Sequence, residues 1–195
     1  LDKVYIATER LLNLIENLLD ISRIESGRLE FDIKPLDLSK LADELKTEFE
    51  KKAQDKKLKL LVSYPSDLSM VNTDASKIKE VASNLVDNAI KYTPKGEVSI
   101  ELHQEGTSVV FCVSDTGIGI AVEDLSRLFN KFVRGSDMNT THPEGTGLGL
   151  YFARVVIENL GGRIWVESAG KGRGSKFCFS LPLADKRKAI KVKKS

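Results

Sequence analysis

The chain predicts an α+β domain preceded by a separate long helix, and three observations carry that prediction. Apolar residues recur at helical spacing in several stretches, as in Ile78, Val81, Ala82 and Leu85. Between them, short segments alternate apolar and polar residues as half-buried strands do. Glycine-rich or proline-containing turns separate the two kinds of segment, which is where chain punctuation belongs. The 195 residues are 41% hydrophobic and 30% charged, enough apolar material for a core.

Residues 3–25 predict one long helix. Val4, Ala7, Leu11, Leu14, Leu18 and Ile21 keep a three-four alternation, the seam of a coiled coil or helical bundle. Leu12, Ile15 and Leu19 widen that seam toward the stripe of a four-helix bundle. Such a face needs partner helices. A hairpin partner together with a second subunit would supply them; folding back on its own domain is the alternative. Ser26-Gly27 ends the helix. Residues 28–35 then alternate as a strand, and Asp37 or Ser39 caps a helix whose buried stripe is Leu41, Leu45 and Phe49. Lys57–Tyr64 predicts a second strand and Met70–Asn72 a short third.

The next helix ends in Asn84-Leu85-Val86-Asp87-Asn88-Ala89-Ile90-Lys91-Tyr92-Thr93 and is closed by Pro94 and Gly96. Asn84, Asp87, Asn88 and Lys91 fall on one face, because positions three and four apart are neighbours on a helix surface. Two carboxamides, a carboxylate and an ammonium on one stripe suit a magnesium–polyphosphate better than a core, although a polar stripe alone is more often a solvated face. Val98, Ile100 and Leu102, then Val109, Phe111 and Val113, predict a hairpin turning at Glu105-Gly106-Thr107. Its second strand runs into Asp115-Thr116-Gly117-Ile118-Gly119-Ile120, where a carboxylate can accept from an exocyclic amine and two glycines let the backbone approach a planar ligand.

A loop-rich stretch over about 121–144 contains Leu128-Phe129-Asn130-Lys131-Phe132-Val133-Arg134-Gly135. Long loops inside compact domains are uncommon unless functional or disordered, and a lid is the functional version. Phe129 and Phe132 would pin one end of it, while Lys131 and Arg134 reach phosphate. His142 and His103 have no orienting partner in the sequence and are expected to be solvated. Gly145-Thr146-Gly147-Leu148-Gly149-Leu150 opens a helix with Leu150, Phe152, Ala153, Val156 and Leu160 on its stripe. Backbone N–H groups exposed at a helix start favour an anion. The spacing is neither a Rossmann turn nor a P-loop. Gly161-Gly162 ends that helix, and two strands follow, Arg163–Ser168 and Ser175–Leu181.

These motifs, in this order, resemble the catalytic ATP-binding domain of a sensor histidine kinase, within the wider group of ATPases that includes gyrase, mismatch-repair proteins and a chaperone of the same fold. The asparagine box is Asn84–Thr93, the first glycine box Asp115–Ile120, the phenylalanine box Leu128–Arg134 and the second glycine box Gly145–Leu150. The resemblance covers roughly residues 5–183. It implies a Bergerat-type α/β sandwich, with helices on one face of a mixed sheet and ATP held beneath a lid. By the same resemblance Asn88 and Asn84 would hold Mg2+, Lys91 and Arg134 would meet phosphate, and Tyr92 would lie against the nucleotide. Asp115 would accept from the adenine amine, with Gly117 and Gly119 giving it room. Gly145, Thr146, Gly147, Leu148 and Gly149 would wrap the triphosphate. Asn84, Asn88, Lys91 and Arg134 would be the catalytic set.

The resemblance also divides the chain. Residues 1–26 would be the second helix of a dimerisation and phosphotransfer hairpin, 27–184 the catalytic domain and 185–195 a disordered basic tail. It implies a homodimer through the hairpin and a response-regulator receiver domain as the next phosphate acceptor. Neither His103 nor His142 has the family's acceptor context, so the 195 residues are expected to bind ATP without phosphorylating themselves. Hydrolytic relatives place a Glu four residues before the magnesium-binding Asn as general base. Asn84 stands there instead and cannot take a proton. An ATPase driving a conformational cycle, a non-catalytic nucleotide sensor and a serine/threonine kinase of the anti-sigma type are the alternatives.

Composition narrows the remaining classes. The tail from Asp185 to Ser195 holds six basic residues and one acid, a net +5, so residues 1–184 carry −3 of the chain's overall +2. The folded part is therefore not a nucleic-acid-like basic surface. No apolar run approaches the roughly 18 residues of a membrane span, and no signal-peptide pattern is present. Membrane contact by this segment is not expected. The start at Leu1 rather than Met points to a piece of a longer protein, which could itself be membrane-anchored. Cys112 and Cys178 match no metal or redox spacing and sit in apolar runs, so they are expected to be buried thiols in a reducing, cytoplasmic compartment.

Overall fold

The computed structural model describes residues 8, 11–12, 15, 18–19, 21–23, 26–28, 30–133 and 147–184. The strands are β1 (Lys34–Leu36), β2 (Leu58–Ser63), β3 (Val71–Thr73), β4 (Gly96–Glu105), β5 (Ser108–Asp115), β6 (Arg163–Glu167) and β7 (Ser175–Pro182). Among them lie helices α1 (Leu38–Asp55), α2 (Ala75–Tyr92), α3 (Val122–Leu125) and α4 (Gly149–Asn159). Five strands form one mixed sheet in the order β2-β4-β5-β7-β6, with β2 and β4 parallel and the other neighbours antiparallel. β1 and β3 pair separately, and Leu183 bridges to Val71 to join that ribbon to the end of β7.

The period-two pattern decides which face is covered. Val98, Ile100 and Leu102 of β4, Val109, Phe111 and Val113 of β5, and Phe177, Phe179 and Leu181 of β7 are buried in the main core. They meet Leu41, Leu45 and Phe49 of α1, Ile78, Val81 and Leu85 of α2, and Phe152 and Val156 of α4. Phe111 and Phe179 stack at its centre with ring centroids 5.0 Å apart. All three long helices thus cover one side of the sheet, as expected. Residues 30–33 are not part of a strand; the predicted strand over 28–35 shrinks to Lys34–Leu36. Its partner β3 is only three residues long, so there is no ladder to extend it.

Caps fix both large helices. Asp37 accepts from the Ser39 amide at the start of α1. Asp74 does the same for α2, accepting from the amides of Ser76 and Lys77 through Oδ1. Its Oδ2 also accepts from the Asp32 amide at 3.0 Å, tying the incoming chain to the start of α2.

Thr8, Leu11, Leu12, Ile15, Leu18, Leu19 and Ile21–Arg23 are helical. Leu11, Leu12, Ile15, Leu18 and Leu19 are 40–58% exposed, whereas Ile21 joins the main core. No helix among the described residues is long and apolar enough to cross a membrane. The tail assigned to 185–195 lies outside the described residues.

One expectation is overturned. Cys112 and Cys178 are not free thiols but a disulfide, with Cα atoms 4.1 Å apart. They lie 66 residues apart in sequence, yet the β5–β7 register sets them directly opposite each other. Both sit between core residues of their strands, so both side chains emerge on the face that carries no helices. There they cluster with Val110 and are flanked by Trp165 of the edge strand β6.

Candidate nucleotide site

α2 is the axis of the site. Its apolar stripe is anchored to the sheet, which turns Asn84, Asn88 and Lys91 to an adjacent, half-buried stripe. Asn88 Nδ2 donates to Asn84 Oδ1 at 3.3 Å. Asn84 Nδ2 is buried and meets no acceptor among the described residues. Gly149, the first residue of α4, lies so close that a Cβ on it would stand 2.8 Å from Asn84 Oδ1. The second glycine motif therefore meets the asparagine helix at close range, where a side chain on Gly149 would push the Asn84 carboxamide aside. Asp87 departs from the predicted stripe: its carboxylate pairs with Lys52 of α1. The physical reason is its place at the edge of that stripe, on the side that faces α1 and within reach of Lys52. Lys91 Nζ lies 5.3 Å from the centroid of the Tyr92 ring.

Asp115 ends β5 and is buried. Its Oδ1 accepts from the Gly117 amide at 2.8 Å and its Oδ2 from Ser175 Oγ at 2.5 Å. Burial pushes the carboxyl above the usual carboxylate range, and the bonds from Ser175, Gly117 and Thr93 offset only part of that rise. A Cβ on Gly117 would stand 2.3 Å from Tyr92 O, and the Ile118 amide donates to that same oxygen at 3.2 Å. The Asp115 loop is thereby fastened to the end of the helix that carries Asn84, Asn88, Lys91 and Tyr92.

A third glycine segment completes the loop's support. Gly119, at φ +67°, faces Gly170, whose carbonyl would be 2.1 Å from any Cβ there. The amides of Gly172 and Gly174 donate to Ile118 O and Gly117 O, and Ser168 Oγ accepts from the Ile120 amide. In the sequence, 170–174 stand only as the link between the last two strands, and Ser168 and Ser175 as their ends. The available signal is positional, since Ser175 follows Gly174 at the start of a strand that pairs with the strand ending in Asp115.

Gly147 (φ +70°) accepts at its carbonyl from the Phe132 amide, and Leu148 is buried at the start of α4. Phe129 packs edge-on against Phe177, as the pinning role requires. Phe132 does not: the residue is 68% exposed, and its backbone amide is what is held. Lys131 stands over the Tyr151 ring, 5.0 Å from its centroid. His103 is exposed on the helix-free face of the sheet. Arg134, Gly145, Thr146 and His142 lie outside the described residues.

A buried carboxylate beside glycine backbone, a carboxamide stripe and a glycine-opened helix are thus gathered around α2. The chain belongs to the family of histidine kinase-, DNA gyrase B- and HSP90-like ATPases, whose model matches residues 73–185. The sensor histidine kinase GacS of Pseudomonas protegens is 36% identical over 188 residues, 93% of this chain and 20% of that protein. The circadian input-output histidine kinase CikA of Synechococcus elongatus is 34% identical over 177 residues, 89% of this chain and 23% of that protein. This chain thus spans only about a fifth of the length of these curated relatives.

Solved structures agree. Full-length ShkA in complex with AMPPNP superposes with a TM-score of 0.78 at 27% identity, over 89% of this chain and 36% of that one. The histidine kinase AdeS of Acinetobacter baumannii gives 0.75 at 26% identity, over 94% of this chain and 84% of that one. In sequence and in fold, this is the ATP-binding catalytic domain of the sensor histidine kinase type.

Proposed function

We propose that this domain holds Mg·ATP around α2 and presents its γ-phosphate to a histidine on a helical hairpin, from which a response-regulator aspartate then receives it. The bond between the Ile118 amide and Tyr92 O carries this reading, because it joins the residue suited to adenine to the helix suited to phosphate. Asp115, already accepting from Ser175 and Gly117, has the chemistry to take a further donor from the adenine amine. The unsatisfied Asn84 Nδ2 fits a phosphate oxygen or a magnesium-bound water. Asn88, which donates to Asn84, would turn its carbonyl oxygen to the cation.

Magnesium is commonly held by one or two protein oxygens plus substrate phosphates, which suits a carboxamide pair. When bound, it would neutralise charge developing on the transferred group. Lys91 and Arg134 would add positive charge there, and Gly147, Leu148 and Gly149 would supply amides at the start of α4. Asn84 has no proton-accepting lone pair comparable to a carboxylate's, so water is not activated and the nucleophile is an imidazole. The exposed helix residues Leu11, Leu12, Ile15, Leu18 and Leu19 would be covered in a homodimeric bundle.

Calorimetry with AMPPNP tests the binding half; magnesium-dependent binding at a single site is expected. A hairpin carrying the acceptor histidine, supplied separately with labelled ATP, tests the transfer half. Acid-labile label on that hairpin is the expected result. Steady ATP turnover by the domain alone, without transfer, would overturn the kinase reading in favour of an ATPase.

A further inference from the structure

The last four carbonyls of an α-helix find no partner inside it. At the end of α2 all four are met from outside the helix ladder. Thr93 Oγ1 donates to Ala89 O at 2.7 Å. Lys56 Nζ donates to Ile90 O at 2.7 Å and to Lys91 O at 2.9 Å. The Ile118 amide donates to Tyr92 O at 3.2 Å. Lys56 caps the C-terminus of α1 and so reaches this turn from a different helix.

We propose that Lys56 is a positioning residue for the nucleotide: its ammonium holds the final turn of α2 so that Lys91 and Tyr92 stand where they meet the ligand. The proposal rests on the nucleotide site described above. Thr93 and Ile118 each satisfy one carbonyl, whereas Lys56 satisfies two, those of Ile90 and Lys91. A cation at a helix C-terminus is also favoured by the helix dipole. One turn earlier on α1, Lys52 pairs with Asp87, so α1 grips α2 at two successive points. The two grips differ in kind. Lys52 takes hold of a side chain on the middle of the helix, and Lys56 takes hold of the backbone that carries the ligand-facing residues. Burial and the neighbouring Lys52 lower the Lys56 pKa, with Asp87 acting against them.

Three substitutions separate positioning from simple stability. Lys56→Met keeps the aliphatic stem and removes the donor, Lys56→Arg keeps a cation with several donors, and Lys52→Met breaks only the other grip. In the ligand-free chain, Lys56→Met should accelerate amide hydrogen exchange at Lys91 and Tyr92. With magnesium and AMPPNP in a calorimeter it should bind about tenfold more weakly, the scale of a lost charged hydrogen bond. Lys56→Arg should recover affinity to within about threefold. Lys52→Met, which breaks an exposed ion pair, should leave both readouts as in the parent chain.

Unchanged exchange at Lys91 and Tyr92 in Lys56→Met would overturn the proposal. So would unchanged affinity despite faster exchange, or an equal affinity loss in Lys52→Met. If Lys56→Met does not fold, Lys56→Ala, which likewise has no side-chain donor, replaces it, with the same expected and overturning results. A parent chain that bound no nucleotide would sink the site assignment itself, and with it the positioning role.

Discussion

The two ends of the site are built on opposite plans. At the end assigned to the base, Asp115 is buried, and both its oxygens already accept bonds from Gly117 and Ser175. The loop around it is held by a further backbone segment, with Gly172 and Gly174 donating into it. At the end assigned to the phosphates, Asn84 keeps a buried amide nitrogen with no partner among the described residues, and the Asn88–Asn84 bond is a long 3.3 Å. The end assigned to the base is thus already bonded within the protein, while the end assigned to the phosphates keeps bonding capacity that a ligand would fill. Unsatisfied buried polar groups cost stability, and they persist where a ligand supplies the missing bond.

The contrast is open to attack from both sides. The largest expected effect is at the base end. Asp115→Ala strips Gly117 and Ser175 of their acceptor and should cost about 3 kcal/mol, or roughly a hundredfold in nucleotide affinity by calorimetry. Adenosine should suffer as much as ATP. Next comes the Cys112–Cys178 bond, which fastens β5 to β7 three residues from the Asp115–Ser175 pair. Replacing both cysteines by serine should lower unfolding free energy by about 2–4 kcal/mol in denaturant melts, given the 66-residue separation. Trp165, the chain's single tryptophan, packs against the pair and offers the optical signal.

At the phosphate end, Asn88→Ala should weaken Mg·ATP about tenfold and leave adenosine affinity unaltered. A matching loss for adenosine would erase the distinction between the ends. The smallest effect is with pH. Asp115 has its folded pKa raised above the unfolded value, so lowering pH protonates it and removes the acceptor. If only the ionised form binds, affinity should fall about twofold at the pH of half-protonation and further below it. Stability moves the other way. The folded state binds this proton more tightly than the unfolded state, so Asp115 opposes folding above its folded pKa, and that cost is relieved as pH falls toward the unfolded value. Asp115→Asn should abolish both dependences.

Much of this was legible in the residues and some was not. Helix stripes and strand alternation report burial directly, so the sandwich follows from them, with Leu41, Leu45 and Phe49 or Val98, Ile100 and Leu102 on the covered side. Single-residue chemistry was legible where it sits in a local motif, as at Asn84, Asn88 and Asp115. Pairing across the sheet was not. Cys112 with Cys178, and Asp115 with Ser175, follow from one β5–β7 register that no local spacing encodes. A parity clue did exist, because both cysteines alternate with core phenylalanines and so must share the outer face. Asp87 and Phe132 depart from expectation for a related reason. Neighbours from α1 and from the backbone of Gly147 decide those contacts, not the residues' own stretch of sequence.

Asp74 has a mechanical consequence. One of its oxygens holds the first turn of α2 and the other holds the backbone at Asp32, 42 residues upstream. Tension on the chain arriving at Asp32 is delivered to the near end of an 18-residue rod about 27 Å long. At the far end of that rod stand Lys91 and Tyr92, so a single carboxylate ties the incoming polypeptide to the helix that carries both.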